Sequence, residues 1–327
     1  MLDKHVMLEF DLAGAEWVVV AYLSQDPNML EVVRSGKSPH IVTGALIAGC
    51  SEELVTADHK IVGSNTDPTT IQRLRNEITF PENIFLPRSM SIRQAGKKSN
   101  HGLNYDMRYR RFALENEMME KDAEPIVNLY RTKAYPKVFD SYHVEVRRQL
   151  KDNDRSLKNC FGRKVKLLRE WGQELFMAAY SFQPQSTVFD VVRHGMREAF
   201  NDESRPFSYM RLGAQVHDSL MVNYPVPNTR DEWHDLATFI WRISQEHMRP
   251  ELRYHDVSFR LGCDAKIGIS WGRMASLKLP PEPELDLIVT HVQGVYAELL
   301  EAEQTLDHPA PAELDWLPMQ VDSQLLV

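Results

Sequence analysis

Residues 93–105 of this 327-residue chain read RQAGKKSNHGLNY, and this stretch decides how the rest of the sequence is interpreted. Arg93, Lys97, Asn100, His101 and Tyr105 are spaced so that they fall broadly on one face of a helix. Arginine and lysine one turn apart can clamp a polyphosphate, and histidine and tyrosine further along can stack on a base. The spacing alone is compatible with a nucleotide-binding helix or with a solvated basic helix that has a tyrosine at its buried edge.

Two aspartates end apolar strands in distant parts of the chain. Asp11 follows the apolar run 6–10, and Asp218 lies within AQVHDSL at residues 214–220, where a tight turn joins two predicted strands. Phosphoryl transfer with two Mg²⁺ ions requires carboxylates on rigid elements, with the ions about 3.5–4 Å apart. Aspartate is also common in ordinary turns, so these residues alone leave a turn-capping role open.

Charge is distributed unevenly. The net charge is −8, yet residues 88–169 hold twenty Lys/Arg against ten Asp/Glu, while residues 276–327 hold ten acids and one lysine. A locally basic face is typical of a phosphate-binding protein, although it also fits a solvated helical surface. Three distant cysteines form no CxxC pair, and no apolar run approaches the ~20 residues that span a bilayer. We therefore expect a cytoplasmic protein with no membrane partner.

Hydrophobic periodicity gives a coarse order of elements. We expect a strand at 6–10, a helix from Trp17, a polar insertion at about 49–87, mainly helices over 88–169 and a helix at 177–200. Two strands over 211–224, a helix at 233–248 and an amphipathic helix at 285–306 follow.

The order of the motifs resembles DNA polymerases of the polymerase I family, family A. The carrying segments are DLAGAEW at 11–17, KSPH at 37–40, RQAGKKSNHGLNY at 93–105, CFGR at 160–163, QSTVFD at 185–190, QVHD at 215–218 and IGISWG at 267–272. Together they span roughly residues 5–274, and several ordered signatures make a chance match improbable.

The resemblance implies an α+β fold, with the antiparallel palm sheet of a right-hand polymerase and mainly helical fingers. It divides the chain into palm with the first metal motif at 1–40, fingers at 41–170, palm with the second metal motif at 171–274, and an acidic tail with one amphipathic helix at 275–327. Only ten residues precede Asp11, so we expect the thumb to be absent and the first strand to lie at an exposed sheet edge.

The resemblance also implies roles for individual residues. Asp11, Asp218 and the backbone of Leu12 would bind two Mg²⁺ ions, for which Mn²⁺ can substitute. Lys97 would act in catalysis and, with Arg93, grip the incoming dNTP. Glu16 would exclude a 2′-hydroxyl, and His101 and Tyr105 would complete the nucleotide pocket. The residues implied to contact primer–template DNA are Gln185, His217, Arg163 and Asn100.

Several positions depart from the family pattern. His101 stands where an aromatic ring is usual, Ser219 where a second acid follows the metal aspartate, Asp106 and Ser186 replace glycines, and Met177 falls near an expected arginine. Two alternatives therefore stay open. One is a phage-type RNA polymerase relative, which shares His-Asp-Ser at the last motif. The other is a degenerate palm that serves as a DNA-binding or scaffold subunit.

The expected partners are primer–template DNA, dNTPs, and a second polypeptide that supplies a thumb and an exonuclease, or further copies of the same chain. The acidic tail is a candidate dock for such a partner, and packing of its helix back on the palm is the simpler expectation. A phage or plasmid replication system, acting in the host cytoplasm, fits a polymerase divided in this way.

Overall fold

The computed structural model describes residues 5–304. Within that range the strands are β1 (His5–Leu12), β2 (Ser156–Lys158), β3 (Lys164–Lys166), β4 (Arg211–Val216), β5 (Ser219–Pro225), β6 (Leu252–Tyr254), β7 (Val257–Phe259), β8 (Cys263–Ser270) and β9 (Arg273–Leu277). Five of them form one antiparallel sheet in the order β4-β5-β1-β8-β9, while β2-β3 and β6-β7 are separate hairpins.

Helices account for most of the remaining elements. They are α1 (Ala15–Ser24), α2 (Pro27–Arg34), α3 (Pro39–Ala48), α4 (Glu52–Val62), α5 (Pro68–Arg75), α6 (Ile92–Asn104), α7 (Tyr109–Glu115), α8 (Glu120–Leu129), α9 (His143–Asp152), α10 (Gln173–Asn201), α11 (Arg205–Ser208), α12 (Arg230–Arg242) and α13 (Leu285–Gln304). Three π-helical segments adjoin them, at Tyr130–Ala134, Val138–Tyr142 and Ile243–His247.

Strand β1 is the middle strand of the large sheet. Its side chains alternate between buried and half-buried, and the buried set of Val6, Leu8, Phe10 and Leu12 faces the core. Because β5 and β8 both pair with it, Asp11 lies opposite Ser219 on one side and Asp264 on the other. The expectation that this strand would form an exposed edge is therefore wrong: the edges are β4 and β9.

The main core lies between the sheet and the helices that cover its buried face. Phe10 on β1 meets Phe239 on α12 edge to face, with ring centroids 6.2 Å apart. The predicted tail helix is present as α13 and packs back on α12, β8 and β9 through its apolar stripe, which includes Val292 and Tyr296. Residues 305–327, including the last two positions predicted for this helix, lie outside the described range.

The polar segment 49–87 folds on a second, small hydrophobic core. Helices α4 and α5 occupy much of it, and Val55 is buried with Ala48 of α3 and Ile92 of α6, while Phe80 and Leu86 pack against them. At its centre Asp58 is fully buried and bonded to Arg75, which is 8% exposed, with Nε 2.6 Å from Oδ1. The sequence predicted an insertion here but not this folded unit.

The other predicted elements compare directly with the structure. The helices expected from Trp17, over 177–200 and over 233–248 are confirmed, as is the strand pair over 211–224. The β2-β3 hairpin inside the predicted helical region was not anticipated. Among the described residues no helix is both long and apolar enough to cross a membrane.

Candidate active site

The first aspartate is positioned by a sharp turn between β1 and α1. Gly14 has φ +56°, in the left-handed region that favours glycine, and it begins α1 directly after the strand. The backbone N–H of Leu12 donates to the carbonyl of Asp218 at 3.1 Å, and that of Ala13 donates to the carbonyl of Gly262 at 3.1 Å. These bonds tie the end of β1 to both neighbouring strands and bring the two predicted aspartates together.

Asp218 comes from the turn of the β4-β5 hairpin. His217, the residue before it, has φ +54°, which is uncommon for a side chain other than glycine. Such backbone conformations persist where the surrounding structure imposes them, and they cluster at functional sites. The turn therefore places both His217 and Asp218 in the lining of the cleft that also contains Asp11.

Negative charge accumulates around Asp11. Burial raises the pKa of its carboxyl to about 6, and repulsion from Asp218, Glu9 and Asp264 adds to this, while Lys266 opposes it. Lys266 also donates to Glu9 at 2.5 Å, so the carboxylate of Glu9 partly compensates its positive charge. A cation near Asp11 and Asp218 would relieve this repulsion.

The donor set fits a divalent cation. Asp11, Leu12 and Asp218 line the same cleft. The cleft therefore offers two carboxylates and a backbone carbonyl oxygen. Mg²⁺ prefers such oxygen ligands and usually retains several water ligands as well. In the part of the chain that the structure describes, no three His, Cys, Asp or Glu side chains form a group that could hold a metal ion. Any site here thus depends on the two aspartates and the backbone.

Opposite the carboxylates, helix α6 presents its basic face. Arg93 is half-buried, and burial lowers its pKa, while Lys97 is exposed on the next turn. His40 lies beside both: burial, together with repulsion from Arg93, Lys97 and His101, lowers its pKa to about 3. His40 is therefore neutral at physiological pH and can accept or donate a hydrogen bond next to two cations.

A network of polar contacts closes the cleft between α1 and α6. Tyr105 donates its phenol proton to Oε2 of Glu16 at 2.6 Å, and Nδ1 of His101 lies 3.4 Å from the same oxygen. Burial would raise the pKa of Glu16, but hydrogen bonds from His101, Tyr105 and Gln185 lower it below its usual value. Glu16 is thus held as a carboxylate with a fixed direction.

The cleft enclosed by these groups has a volume of about 900 Å³. Its walls include ten of the predicted residues, namely Asp11, Leu12, Glu16, Arg93, Lys97, Asn100, His101, Tyr105, His217 and Asp218. A second groove of about 400 Å³ lies along α6 and shares Lys97, His101 and Tyr105 with the cleft. Gln185 lines this groove rather than the cleft, beside Met177.

Two of the residues predicted to contact DNA, Asn100 and Arg163, are bonded to other side chains or backbone groups of the protein. Asn100 is buried, and its amide bonds Pro39 O at 3.1 Å and His40 Nδ1 at 3.2 Å, while its oxygen accepts from Thr43 at 2.8 Å. These bonds hold α3 against α6, and the contact of Asn100 with DNA stays a prediction. Arg163 forms a two-pronged ion pair with Asp190, at 2.8 and 2.5 Å, and does not line the cleft. Its contact with DNA stays a prediction.

His40, Asp264 and Arg260 also line the cleft, and none of them was singled out from the sequence. His40 lay within a quoted motif, which was the available signal. The strand register places Asp264 opposite Asp11, and this pairing is what brings it to the cleft. Arg260 follows β7 directly and also lines the cleft, and its guanidinium donates to the carbonyl of Arg249 at 2.8 Å. No local pattern marks the last two.

Comparison with known families identifies the group of proteins to which this chain is similar. The model of DNA polymerase family A matches residues 86–273, more than half of the chain. The chain belongs to DNA polymerase family A.

Two DNA polymerases from Thermus species are similar to this chain in sequence. The chain is 26% identical over 231 residues to the thermostable DNA polymerase I of Thermus filiformis, covering 67% of this chain and 23% of that protein. It is 23% identical over 277 residues to that of Thermus aquaticus, covering 81% and 27%. The family A chain therefore spans about a quarter of the length of these curated relatives.

A solved structure shares the fold of this family A chain. The POL domain of Pol1 from M. smegmatis, in complex with DNA primer-template and dNTP, superposes with a TM-score of 0.57 at 18% identity, covering 82% of this chain and 40% of that one. The likeness confirms the α+β polymerase fold that the motifs implied.

Proposed function

We propose that this chain catalyses template-directed addition of deoxynucleotides to the 3′ end of a DNA primer. The observation that carries the proposal is the cleft in which Asp11 and Asp218 face Arg93 and Lys97, with the Glu16–Tyr105 contact beside them. Carboxylates on one wall and a phosphate clamp on the other fit a reaction between a hydroxyl and a triphosphate. Family membership and the solved neighbour's complex with primer-template and dNTP support the same reaction.

Each wall of the cleft has a separate task in this proposal. Lys97 and Arg93 bind the triphosphate, and the charge of Lys97 is used most as negative charge develops on the leaving pyrophosphate. Glu16, held by Tyr105 and His101, occupies the space that a 2′-hydroxyl would need. His217, in the cleft, and Gln185, in the groove along α6, are the residues proposed to contact the primer terminus and the new base pair.

The proposed metal site uses Asp11, Asp218 and the backbone carbonyl oxygen of Leu12. Mg²⁺, for which Mn²⁺ can substitute, would when bound supply charge stabilisation of the reacting phosphate and lower the pKa of the attacking hydroxyl. The role of the protein is to hold the two carboxylates close together, and the hydrogen bond from Leu12 N–H to Asp218 O ties the end of β1 to the turn that carries Asp218.

Primer extension on a defined template tests this function. Wild type should extend the primer in the order of the template and stop when the divalent metal is chelated. Asp218→Asn keeps the size of the side chain but removes its charge, so extension should fall roughly a hundredfold or more, because several kcal/mol of charge stabilisation are lost. Asp256→Asn, on the exposed β6-β7 turn, is the matched control. Equal extension by both variants would remove the two-aspartate assignment.

One structural observation favours a non-catalytic scaffold as the second candidate. Ser219 follows Asp218 where the family has a second acid, and it is buried, with its hydroxyl donating to the carbonyl of Val216 at 3.0 Å. A scaffold would bind primer–template DNA yet fail to extend it under any metal. The same assay with rNTPs tests the RNA polymerase alternative, against which the fixed Glu16 argues.

We also propose that a second polypeptide or another copy of this chain completes the DNA grip. Strand β4 is an edge of the large sheet, and most of its residues are exposed, including Leu212 and Val216. Such an edge is a template for strand addition. Light scattering with and without primer–template would show whether the chain associates. A reducing cytoplasm is the proposed compartment, since Cys50, Cys160 and Cys263 are all unpaired.

A further inference from the structure

We propose that Asp106 is a positioning residue for nucleotide selection: its carboxylate fixes the end of α6, so that Tyr105 keeps its hydrogen bond to Glu16. Asp106 stands where the family A pattern has glycine, so the feature belongs to this chain rather than to that pattern. The inference rests on the proposed function, because it assumes that the cleft selects among nucleotides.

The backbone at the end of α6 has a shape that favours glycine at position 106. The N–H of Met107 donates to the carbonyl of Gly102 at 2.9 Å, and that of Asp106 donates to the carbonyl of Leu103 at 3.1 Å. These two bonds form a Schellman motif, whose left-handed residue is usually glycine. Asp106 occupies that place with φ +69°, which costs more for an aspartate than for a glycine. An aspartate here therefore needs side-chain contacts that offset this cost.

Both carboxylate oxygens of Asp106 are bonded to other elements. Oδ1 accepts from the guanidinium of Arg131, in the π-helical segment Tyr130–Ala134, at 2.6 Å, and Oδ2 accepts from the amide of Gln173, at the start of α10, at 2.8 Å. The side chain of Asp106 is 15% exposed and that of Arg131 35%, so solvent screens this pair less than a fully exposed one. Arg131 also lies over the ring of Phe139, 4.4 Å from its centroid, which holds the guanidinium in place. The carboxylate thus joins three elements at one point.

The residue before Tyr105 is held as well. The amide oxygen of Asn104 accepts from the hydroxyl of Tyr130 at 2.8 Å, and its backbone carbonyl accepts from Nε2 of His143 at 2.8 Å. Asn104 and Asp106 therefore fix the backbone of Tyr105 from both sides. Asn104 is buried in the core, whereas Asp106 lies nearer the surface, so Asp106 is the fixed point that a substitution can remove with less damage to the fold.

Asp106 acts on the nucleotide through the phenol of Tyr105, since Asp106 itself lines neither the cleft nor the groove along α6. The phenol donates to Oε2 of Glu16 at 2.6 Å, and a hydrogen bond of this length tolerates little displacement of its donor. A loosened end of α6 would weaken that bond, and Glu16 would lose the donor that holds it in the space of a 2′-hydroxyl. Asp106 thereby increases discrimination against ribonucleotides.

A second aspartate with a left-handed backbone provides the matched control. Asp154 has φ +48° and pairs with Lys166 at 2.5 Å on the surface. Asp106→Gly and Asp154→Gly thus each remove one ion pair and replace one left-handed aspartate by glycine. The quantity measured is the ratio of kcat/KM for rNTP to that for dNTP opposite the same template base. The temperature is one at which circular dichroism shows both variants to be folded.

We expect Asp106→Gly to raise this ratio roughly fivefold or more, which corresponds to the loss of about one hydrogen bond, and Asp154→Gly to leave it at the wild-type value. Asp106→Asn keeps the size of the side chain and one acceptor oxygen, so its ratio should lie between those of wild type and Asp106→Gly. In a Tyr105→Phe background, which lacks the phenol hydroxyl, Asp106→Gly should have almost no further effect. An unchanged ratio in Asp106→Gly would overturn the proposal, as would an equal rise with and without the phenol, which would show that Asp106 acts by another route.

Nucleotide binding separates this inference from the proposed function. With a primer that ends in a dideoxynucleotide, the dissociation constants of dATP and ATP can be compared without extension. If wild type extends primers but Asp106→Gly keeps the wild-type ratio, the positioning role alone fails. If wild type extends nothing yet prefers dATP, and Asp106→Gly loses that preference, the positioning role stands and the polymerase proposal fails. A wild type that neither extends primers nor prefers dATP would contradict both.

Discussion

Glu16 and Tyr105 share a hydrogen bond of 2.6 Å that links the start of α1 to the end of α6. The acceptor oxygen, Oε2, also lies 3.4 Å from Nδ1 of His101, so two donors of α6 fix one carboxylate. The wall that would meet the sugar is thus built from two elements that are far apart in the sequence, and its shape depends on this contact.

Sugar selection should depend on that contact. Glu16→Ala removes the carboxylate and should raise the ratio of rNTP to dNTP incorporation efficiency, because space for a 2′-hydroxyl opens. Tyr105→Phe leaves Glu16 in place without its shortest bond, so its effect should be intermediate. Single-nucleotide kcat/KM values for matched rNTP and dNTP measure the ratio, with Glu82→Ala as an exposed control. An unaltered ratio in Glu16→Ala would place the gate elsewhere.

Neighbouring lysines should separate nucleotide binding from template binding. Lys97 lines both the cleft and the α6 groove, whereas Lys98 lines the groove alone. Lys97→Ala should lower kcat for nucleotide addition by roughly a hundredfold, since a charge that stabilises the leaving pyrophosphate is lost. Lys98→Ala removes the same charge one position away and should change DNA affinity but not kcat. Rapid-quench kinetics at saturating DNA provide both values, and identical kcat for the two variants would contradict the assignment.

Buried histidines should make the fold acid-sensitive. Burial lowers the pKa of His143 to about 4, where its ring stacks on Tyr180 at 3.6 Å and Nε2 donates to Asn104 O at 2.8 Å. Because the folded pKa lies below the unfolded value of ~6.5, the unfolded chain binds the proton more readily. Stability from this residue is complete above about pH 6.5 and declines as the pH falls toward 4.

Urea unfolding at pH 7.5 and pH 5 measures this effect. Between those values His143 should account for a loss of about 2 kcal/mol, at 1.36 kcal/mol for each pH unit below ~6.5. His143→Gln keeps a donor for Asn104 but cannot titrate, so its loss between the two pH values should be smaller by that amount. His255→Gln, on the exposed β6-β7 turn, should behave as wild type. A wild-type loss retained in His143→Gln would refute the linkage.

The ion pair of Asp58 and Arg75 should anchor the start of helix α6. Asp58 also accepts from the backbone N–H of Ile92 at 2.7 Å, and Arg75 donates to the carbonyl of Met90 at 3.0 Å, so the last residues of the loop and the first residue of α6 are held to this pair. Asp58→Asn leaves a buried arginine without its counter-charge and should destabilise the fold by about 3–5 kcal/mol. Asp152→Asn breaks an exposed pair with Arg148, at 3.0 Å, and should cost at most about 1 kcal/mol.

Kinetics show whether that pair matters beyond stability. Arg93 follows Ile92 directly, so a loosened start of α6 should raise the KM for dNTP more than it changes kcat. Measurements at a temperature where Asp58→Asn is fully folded by circular dichroism separate this effect from unfolding. A destabilised variant with wild-type KM would restrict Asp58 to a purely structural role.

The main residues that line the cleft could be predicted from the sequence, but the contacts that hold the surrounding helices in place could not. Asp11, Asp218 and the basic face of α6 were predicted, because strand-end carboxylates and helical spacing are local patterns. The hydrogen bonds of Asn100 to α3 were not predicted, since its spacing places it with the basic face and no local pattern reveals a partner on another helix. Asp58 and Arg75 lie 17 residues apart in a polar segment, and no periodicity reveals that they meet.

The pairing of residues on neighbouring strands could not be predicted either, because it depends on residues that are far apart in the sequence. Asp264 occupies an exposed position of an alternating strand, which from sequence is indistinguishable from any solvated face. Only the register that sets it opposite Asp11 reveals its place in the cleft. The three-residue strands of the β2-β3 hairpin are too short to give a pattern at all.

Helices α3 and α6 cross at their glycines. A Cβ added to Gly96 would collide with the backbone of His40 and Gly44, and one added to Gly44 would press on the carbonyl of Ile92. Helices that touch through backbone have no side chains between them to absorb a shift, so a displacement of one is transmitted to the other. Any movement of α6 toward a bound nucleotide must then carry α3, with His40, and the folded segment 49–87 along with it.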